Sequence, residues 1–127
     1  MKRRFAKLNQ EGFTLIELIS ILIILGVLGS VAIRKYENLT QTASDRVLAA
    51  AVKELNVRES FIWANMKISS EGYTDDADVY AALNKDLGPN LKWNPGPDIA
   101  GGTLHCESAS VALTRSPSTN TTAAKWH

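Results

Sequence analysis

Residues 13–33 read FTLIELISILIILGVLGSVAI, a run of 21 residues in which Glu17 is the only ionisable side chain. As one α-helix this run would extend about 32 Å, close to the roughly 30 Å hydrocarbon core of a bilayer. The preceding segment, MKRRFAKLNQEG (1–12), holds Lys2, Arg3, Arg4 and Lys7 against Glu11, a net charge of +3. Basic residues ahead of an apolar run favour a cytoplasmic start, with the C-terminal part outside. The other 115 residues carry 10 basic and 12 acidic side chains, so the basic character is confined to the front. This is a membrane-directed chain.

Three fates fit such an N-terminus. A secretory signal peptide would be cut after the apolar run, where Ser30-Val31-Ala32 offers a small-x-small site. A signal anchor would stay uncut. A prepilin-type leader would be cut before the run, leaving it on the mature protein. Glu17 argues against a disposable signal, because a carboxylate at membrane depth costs about 2.5–3.5 kcal/mol on insertion scales. Gly12, a small helix-weakening residue at the basic/apolar border, offers unwound backbone to a peptidase.

Gly12-Phe13-Thr14-Leu15-Ile16-Glu17-Leu18 resembles the processing motif of type IV pilins and type II secretion pseudopilins. The resemblance covers the leader and first helix, about residues 1–66. It implies that a membrane-embedded prepilin peptidase cuts between Gly12 and Phe13 and N-methylates Phe13. It also implies that Glu17 pairs with the Phe13 amine of an adjacent subunit during assembly on an inner-membrane platform. An ammonium partner offsets the cost of the buried carboxylate, which a subunit without neighbours would bear alone.

The helix should continue well past the membrane, because residues 34–66 contain neither proline nor glycine. Tyr36, Leu39, Ala43, Val47, Leu48, Ala51, Val52, Leu55, Ile62 and Met66 recur at three- and four-residue steps, and Glu59 interrupts the stripe. Glu54 and Arg58 form an i,i+4 pair with the acid first. A helix over residues 13–66 would be about 80 Å long, more than a small globule can bury. Within it, Gly26 and Ser30 form a small-xxx-small pair that lets helices approach, and Gly26 and Gly29 each weaken the helix by about 0.8–1.0 kcal/mol. In the family this stretch unwinds locally in filaments, and many members carry a proline after Ala-Ile. Arg34 stands at that place here, so a continuous helix through 26–36 is expected in the isolated subunit. Arg34 and Lys35 can reach the headgroup layer.

Residues 67–127 change character, punctuated by Gly72, Gly88-Pro89, Pro95-Gly96-Pro97 and Gly101-Gly102. DADVYAALNKDL (76–87) reads as a short helix behind acidic N-terminal residues. TLHCESASVALTR reads as two strands near 103–107 and 110–115, with Leu104 and Cys106, then Val111 and Leu113, alternating. Two strands alone are marginal in water, so they need the second half of the long helix as packing partner. The tail SPSTNTTAAKWH is polar until Trp126 and is expected to be loose, or pinned only by that ring.

The composition argues against chemistry. A single cysteine excludes an internal disulfide and a Cys-based zinc site, and Cys106 is expected to be a buried small hydrophobe. Asp75, Asp76 and Asp78 lack the EF-hand spacing and suit a helix start. His105 would point away from Cys106 on a strand, so the two form no nucleophile–base pair. Asn120-Thr121-Thr122 matches the glycosylation sequon by chance in a chain of this type. Near-zero net charge gives no nucleic-acid footprint.

These observations predict an α+β, pilin-like chain: a long N-terminal helix (about 13–66) with a small antiparallel sheet packed on its C-terminal half. Residues 1–12 would be a removable leader, 13–33 the transmembrane and polymerisation helix, and 34–127 the periplasmic or extracellular part. The expected function is a non-enzymatic structural subunit of a type IV pilus-like filament, with neither metal nor cofactor. A type II secretion pseudopilin is the alternative, and a single-span anchored periplasmic binding module a third. The subunit would cross the inner membrane once before assembly, then enter an extracellular pilus or a periplasmic pseudopilus. Its partners would be copies of itself, the prepilin peptidase, the assembly platform and the lipid bilayer, with no nucleic acid.

Overall fold

A computed structural model describes residues 12–127. The leader expected at 1–12 therefore lies outside the described residues except for Gly12. The chain divides into two compact units, one ending at Glu37 and the other comprising Asn38–His127.

Helix α1, Leu15–Ile68, spans 54 residues without interruption, including Gly26, Gly29 and Arg34. In the first unit its side chains are exposed throughout, from Leu15 at 78% to Ile33 at 62%. A face so uniformly apolar and uncovered has the length and composition of a membrane span.

The second unit is built on residues 38–68 of α1. Leu48, Ala51 and Leu55 turn inward at three- and four-residue steps and meet Leu83, Leu104, Cys106, Ala109, Leu113 and Trp126. The stripe read from sequence is buried only in part: Tyr36, Leu39, Ala43 and Val47 remain exposed, while Ser44 is buried in their neighbourhood. Opposite the helix lies a four-stranded antiparallel sheet in the order β1 (Lys92–Trp93), β2 (Gly101–Cys106), β3 (Ala109–Ser116), β4 (Lys125–Trp126). The β2–β3 hairpin matches the two expected strands in existence and alternation; Leu104 and Cys106 are buried and paired with Val111 and Ala109. Its turn places Glu107 at φ 51°, in the left-handed region. Gly101 begins β2 at φ +150°, where an added Cβ would stand 2.1 Å from the Leu113 carbonyl oxygen. Only glycine fits there.

Three expectations are corrected. The sheet has four strands rather than two, because β1 and β4 are each two residues long and carry no readable alternation. The second helix, α2 (Asp76–Ala82), stops well short of residue 87, and Leu83 turns extended at ψ 122°. Side chains take the carbonyls that a longer helix would need: Arg58 Nη1 donates to Asn84 O (2.9 Å) and Asp86 O (2.7 Å), and Trp93 Nε1 donates to Lys85 O (3.0 Å). The C-terminal segment is neither loose nor held by one ring. Ser118, Ala124 and Trp126 are all buried, Asn56 exchanges hydrogen bonds with the Trp126 backbone, and Trp63 and Lys67 reach Thr119 and Asn120.

Candidate functional site

The residues expected to carry processing and assembly sit at the start of α1. Gly12 and Phe13 precede the helix, both exposed, and a Cβ on Gly12 would meet nothing within 4 Å. The Gly12–Phe13 bond thus lies outside α1, and nothing among the described residues covers it. Thr14 is the residue before the first helical turn, and it closes a reciprocal pair with Glu17. The Glu17 amide donates to Thr14 Oγ1 (3.3 Å), and the Thr14 amide donates to Glu17 Oε2 (3.1 Å). This is a capping box, which satisfies two of the orphan donors at a helix N-terminus. The Glu17 carboxylate therefore lies against the backbone nitrogen next to Phe13, within its own chain. Thr-x-x-Glu ahead of an apolar run is the sequence signature of this box, an intrachain partner for Glu17 beside the intermolecular one that the resemblance implies.

Further along, Ser20 Oγ donates to Ile16 O and Ser30 Oγ to Val27 O, each at 2.8 Å. Both hydroxyls are satisfied inside the helix, as a lipid environment demands. Added Cβ atoms at Gly26 and Gly29 would meet nothing within 4 Å, so among the described residues no contact requires glycine there. Arg34 continues the helix.

A second cluster, invisible to sequence reasoning as a unit, lies in the core of the second unit. Glu59, read as an interruption of the apolar stripe, is fully buried and faces the equally buried Arg115 of β3. Arg115 Nε donates to Glu59 Oε1 at 2.6 Å, while Nη1 and Nη2 donate to Asp76 Oδ2 and Oδ1 at 2.7 and 2.9 Å. Trp126 Nε1 adds a bond to Glu59 Oε1 (3.0 Å), and the Ser118 amide and hydroxyl both donate to Asp76 Oδ1 (2.6 Å). Burial alone would raise the Asp76 pKa, but hydrogen bonds from Arg115 and Ser118 prevail and hold it below its ordinary value. Burial would likewise lower that of Arg115, and the two carboxylates prevail in raising it. Tyr80, whose ring lies 5.2 Å from the Arg115 guanidinium carbon, is raised by burial and by the Asp98 charge. The network joins α1, α2, β3 and the C-terminal segment by fully satisfied, charge-assisted bonds.

The other singled-out residues have structural roles. Asp75 caps α2 by accepting from the Asp78 amide (2.9 Å), and Asp78 accepts from the Thr74 hydroxyl. Glu54 and Arg58 pair at 2.9 Å on the surface. Cys106 is a free thiol buried in the core. His105 faces away from it and bonds the Asn94 carbonyl through Nε2 (2.9 Å).

Among known families, the one described as the prokaryotic N-terminal methylation motif matches residues 7–33. No curated protein and no solved structure matches the chain. The match ends where the apolar run ends, so the second unit is characterised by its own structure. Residues 7–33 thus carry, ahead of an α+β pilin-like fold, the signature of type IV pilin and pseudopilin precursors.

Proposed function

We propose that this chain is a structural, non-enzymatic subunit of a type IV pilus-like filament, polymerising through the apolar helix 13–33. The observation that carries the reading is Glu17. It is a lone carboxylate in a fully exposed apolar helix, four residues after a glycine–phenylalanine junction that lies outside the helix. Prepilin peptidase would cut at Gly12–Phe13 and methylate Phe13, leaving a cationic amine one residue from the Thr14 amide that Glu17 already holds. Within a bilayer, the capping box gives the carboxylate one hydrogen-bond donor in its own chain, the Thr14 amide, which lowers the cost of the unassembled state. On the inner-membrane assembly platform, the Phe13 amine of an adjacent subunit supplies the opposite charge, and Glu17 exchanges its cap for an ion pair. Gly26, Gly29 and Ser30 permit close helix packing, and Arg34 meets the headgroup layer before assembly. The mature subunit crosses the inner membrane once and then enters an extracellular pilus.

A periplasmic pseudopilus is the second reading, favoured by the small second unit and by the single cysteine, which allows no disulfide across the C-terminal loop. The Glu59–Arg115–Asp76 network weighs against that inference, since it fastens the same loop without a covalent bond. Glu17→Ala tests the filament role. Insertion should be unchanged or improved, while filaments seen by electron microscopy fall by at least about tenfold, the effect of losing about 1.4 kcal/mol per subunit contact. Filaments of normal length and abundance would contradict it.

A further inference from the structure

The outer edge of β3 is covered over only part of its length. Thr114 and His127 exchange backbone hydrogen bonds of 2.8 and 3.0 Å, whereas the Arg115 amide donates to the opposite side, to Ala100 O (2.8 Å). Backbone groups of successive residues point to opposite edges of a strand. Ala112 and Ser110 therefore direct theirs the same way as Thr114. The β4 pairing does not extend to them, and among the described residues no other strand does. Both are exposed.

Natural proteins deter pairing at such edges with lysine, proline or a bulge. The two short strands follow that rule, with Lys92 in β1 and Lys125 in β4. Residues 109–113, ASVAL, hold neither charge nor proline, and their pairing with β2 runs without a bulge. Beside this edge lies a groove of about 250 Å³, lined by Leu48, Ala49 and Val52 of α1, by Ser110 and Val111, and by the exposed Asp45.

We propose that this edge and groove accept an extended segment of another polypeptide as an added antiparallel strand, in line with β4. Ser110 and Ala112 offer about four backbone hydrogen bonds, two each. Alternate side chains of the added strand would lie over Leu48, Ala49 and Val52, a floor suited to small or β-branched apolar residues. Asp45 supplies a carboxylate for a lysine or arginine at one end. The partner is thus an extended peptide with apolar alternation and a basic residue, bound through its main chain and selected through alternate side chains.

The test uses the full-length chain in detergent micelles and the synthetic peptide acetyl-Lys-Thr-Val-Thr-Val-Thr-amide, with amide hydrogen exchange as readout. Saturable binding should slow exchange at Ser110 and Ala112 by at least about tenfold. Asp45→Asn should weaken binding by about threefold, the size of an exposed charge pair. The same peptide methylated at its β3-facing amide nitrogens should not bind. Absence of binding, equal binding of the methylated peptide, or protection confined to other residues would overturn the proposal. Protection of Ser110 and Ala112 that rises with protein concentration alone would overturn it too, by assigning the edge to a second copy.

Discussion

Glu17 and Glu59 are carboxylates set in apolar stripes of the same helix, and their surroundings differ in every respect. Glu17 is exposed, held by one backbone amide, with no other ionisable side chain between residues 13 and 33. Glu59 is sealed in the core and answered by a guanidinium and an indole N–H. A buried charge is retained where partners in the same chain satisfy it; an apolar helix that keeps a charge without such a partner looks for one elsewhere. The contrast separates what folds the second unit from what the first unit is for.

The sharpest way to break the contrast is to remove the internal partner. Arg115→Ala leaves Glu59 buried and uncompensated, and unfolding monitored by tryptophan fluorescence should show a loss of about 3–5 kcal/mol. Combining it with Glu59→Leu should recover a large part of that loss, because an apolar pair needs no compensation. If the single variant were as stable as the parent, the network would be ornamental.

Acid provides a smaller, graded version. The folded-state pKa of Asp76 is depressed, so its contribution is complete above the unfolded value near 4 and disappears as pH falls through the folded value. Stability should be level with respect to Asp76 from neutrality to about pH 4 and should decline below it. In Asp76→Asn the decline should be shallower, as thermal unfolding at successive pH values would show. An identical acid profile in both proteins would remove Asp76 from the account.

The smallest effect belongs to the other carboxylate. Thr14→Ala deletes one half of the capping box and should cost the first turn of α1 about 1 kcal/mol. Amide exchange near residues 14–18 should quicken, while exchange in the second unit stays as it was. Equal changes in both units would mean that the cap does more than hold one helix end.

Much of this was legible because local pattern and tertiary structure agree. The apolar run, the absence of proline and glycine over 34–66, and the alternation of Leu104–Cys106 and Val111–Leu113 each report on neighbours close in sequence. The two-residue strands β1 and β4 do not, since their pairing is set by partners rather than by their own pattern. Glu59 and Arg115 are 56 positions apart, and nothing local marks either as buried except that each falls on an inward position of its element. α2 ended early because Arg58 captures the carbonyls beyond Leu83, a contact spanning 26 positions. The polar C-terminal segment reads as solvated from its composition, whereas Ser118 and the Trp126 backbone bond partners on α2 and α1. At the candidate site the residue types were readable, while the intrachain pairing of Thr14 with Glu17 needed the helix start to be placed at Leu15.

The central claim is that the apolar helix stays on the mature chain and begins it. Intact-mass and N-terminal peptide analysis of the protein recovered from membranes or filaments measures this directly. The account predicts a chain that starts at Phe13 with one methyl group on its amine. A mature chain starting at Ile33 would mean ordinary signal cleavage, and an uncut Met1 would mean a simple anchor; either result would contradict the filament-subunit reading.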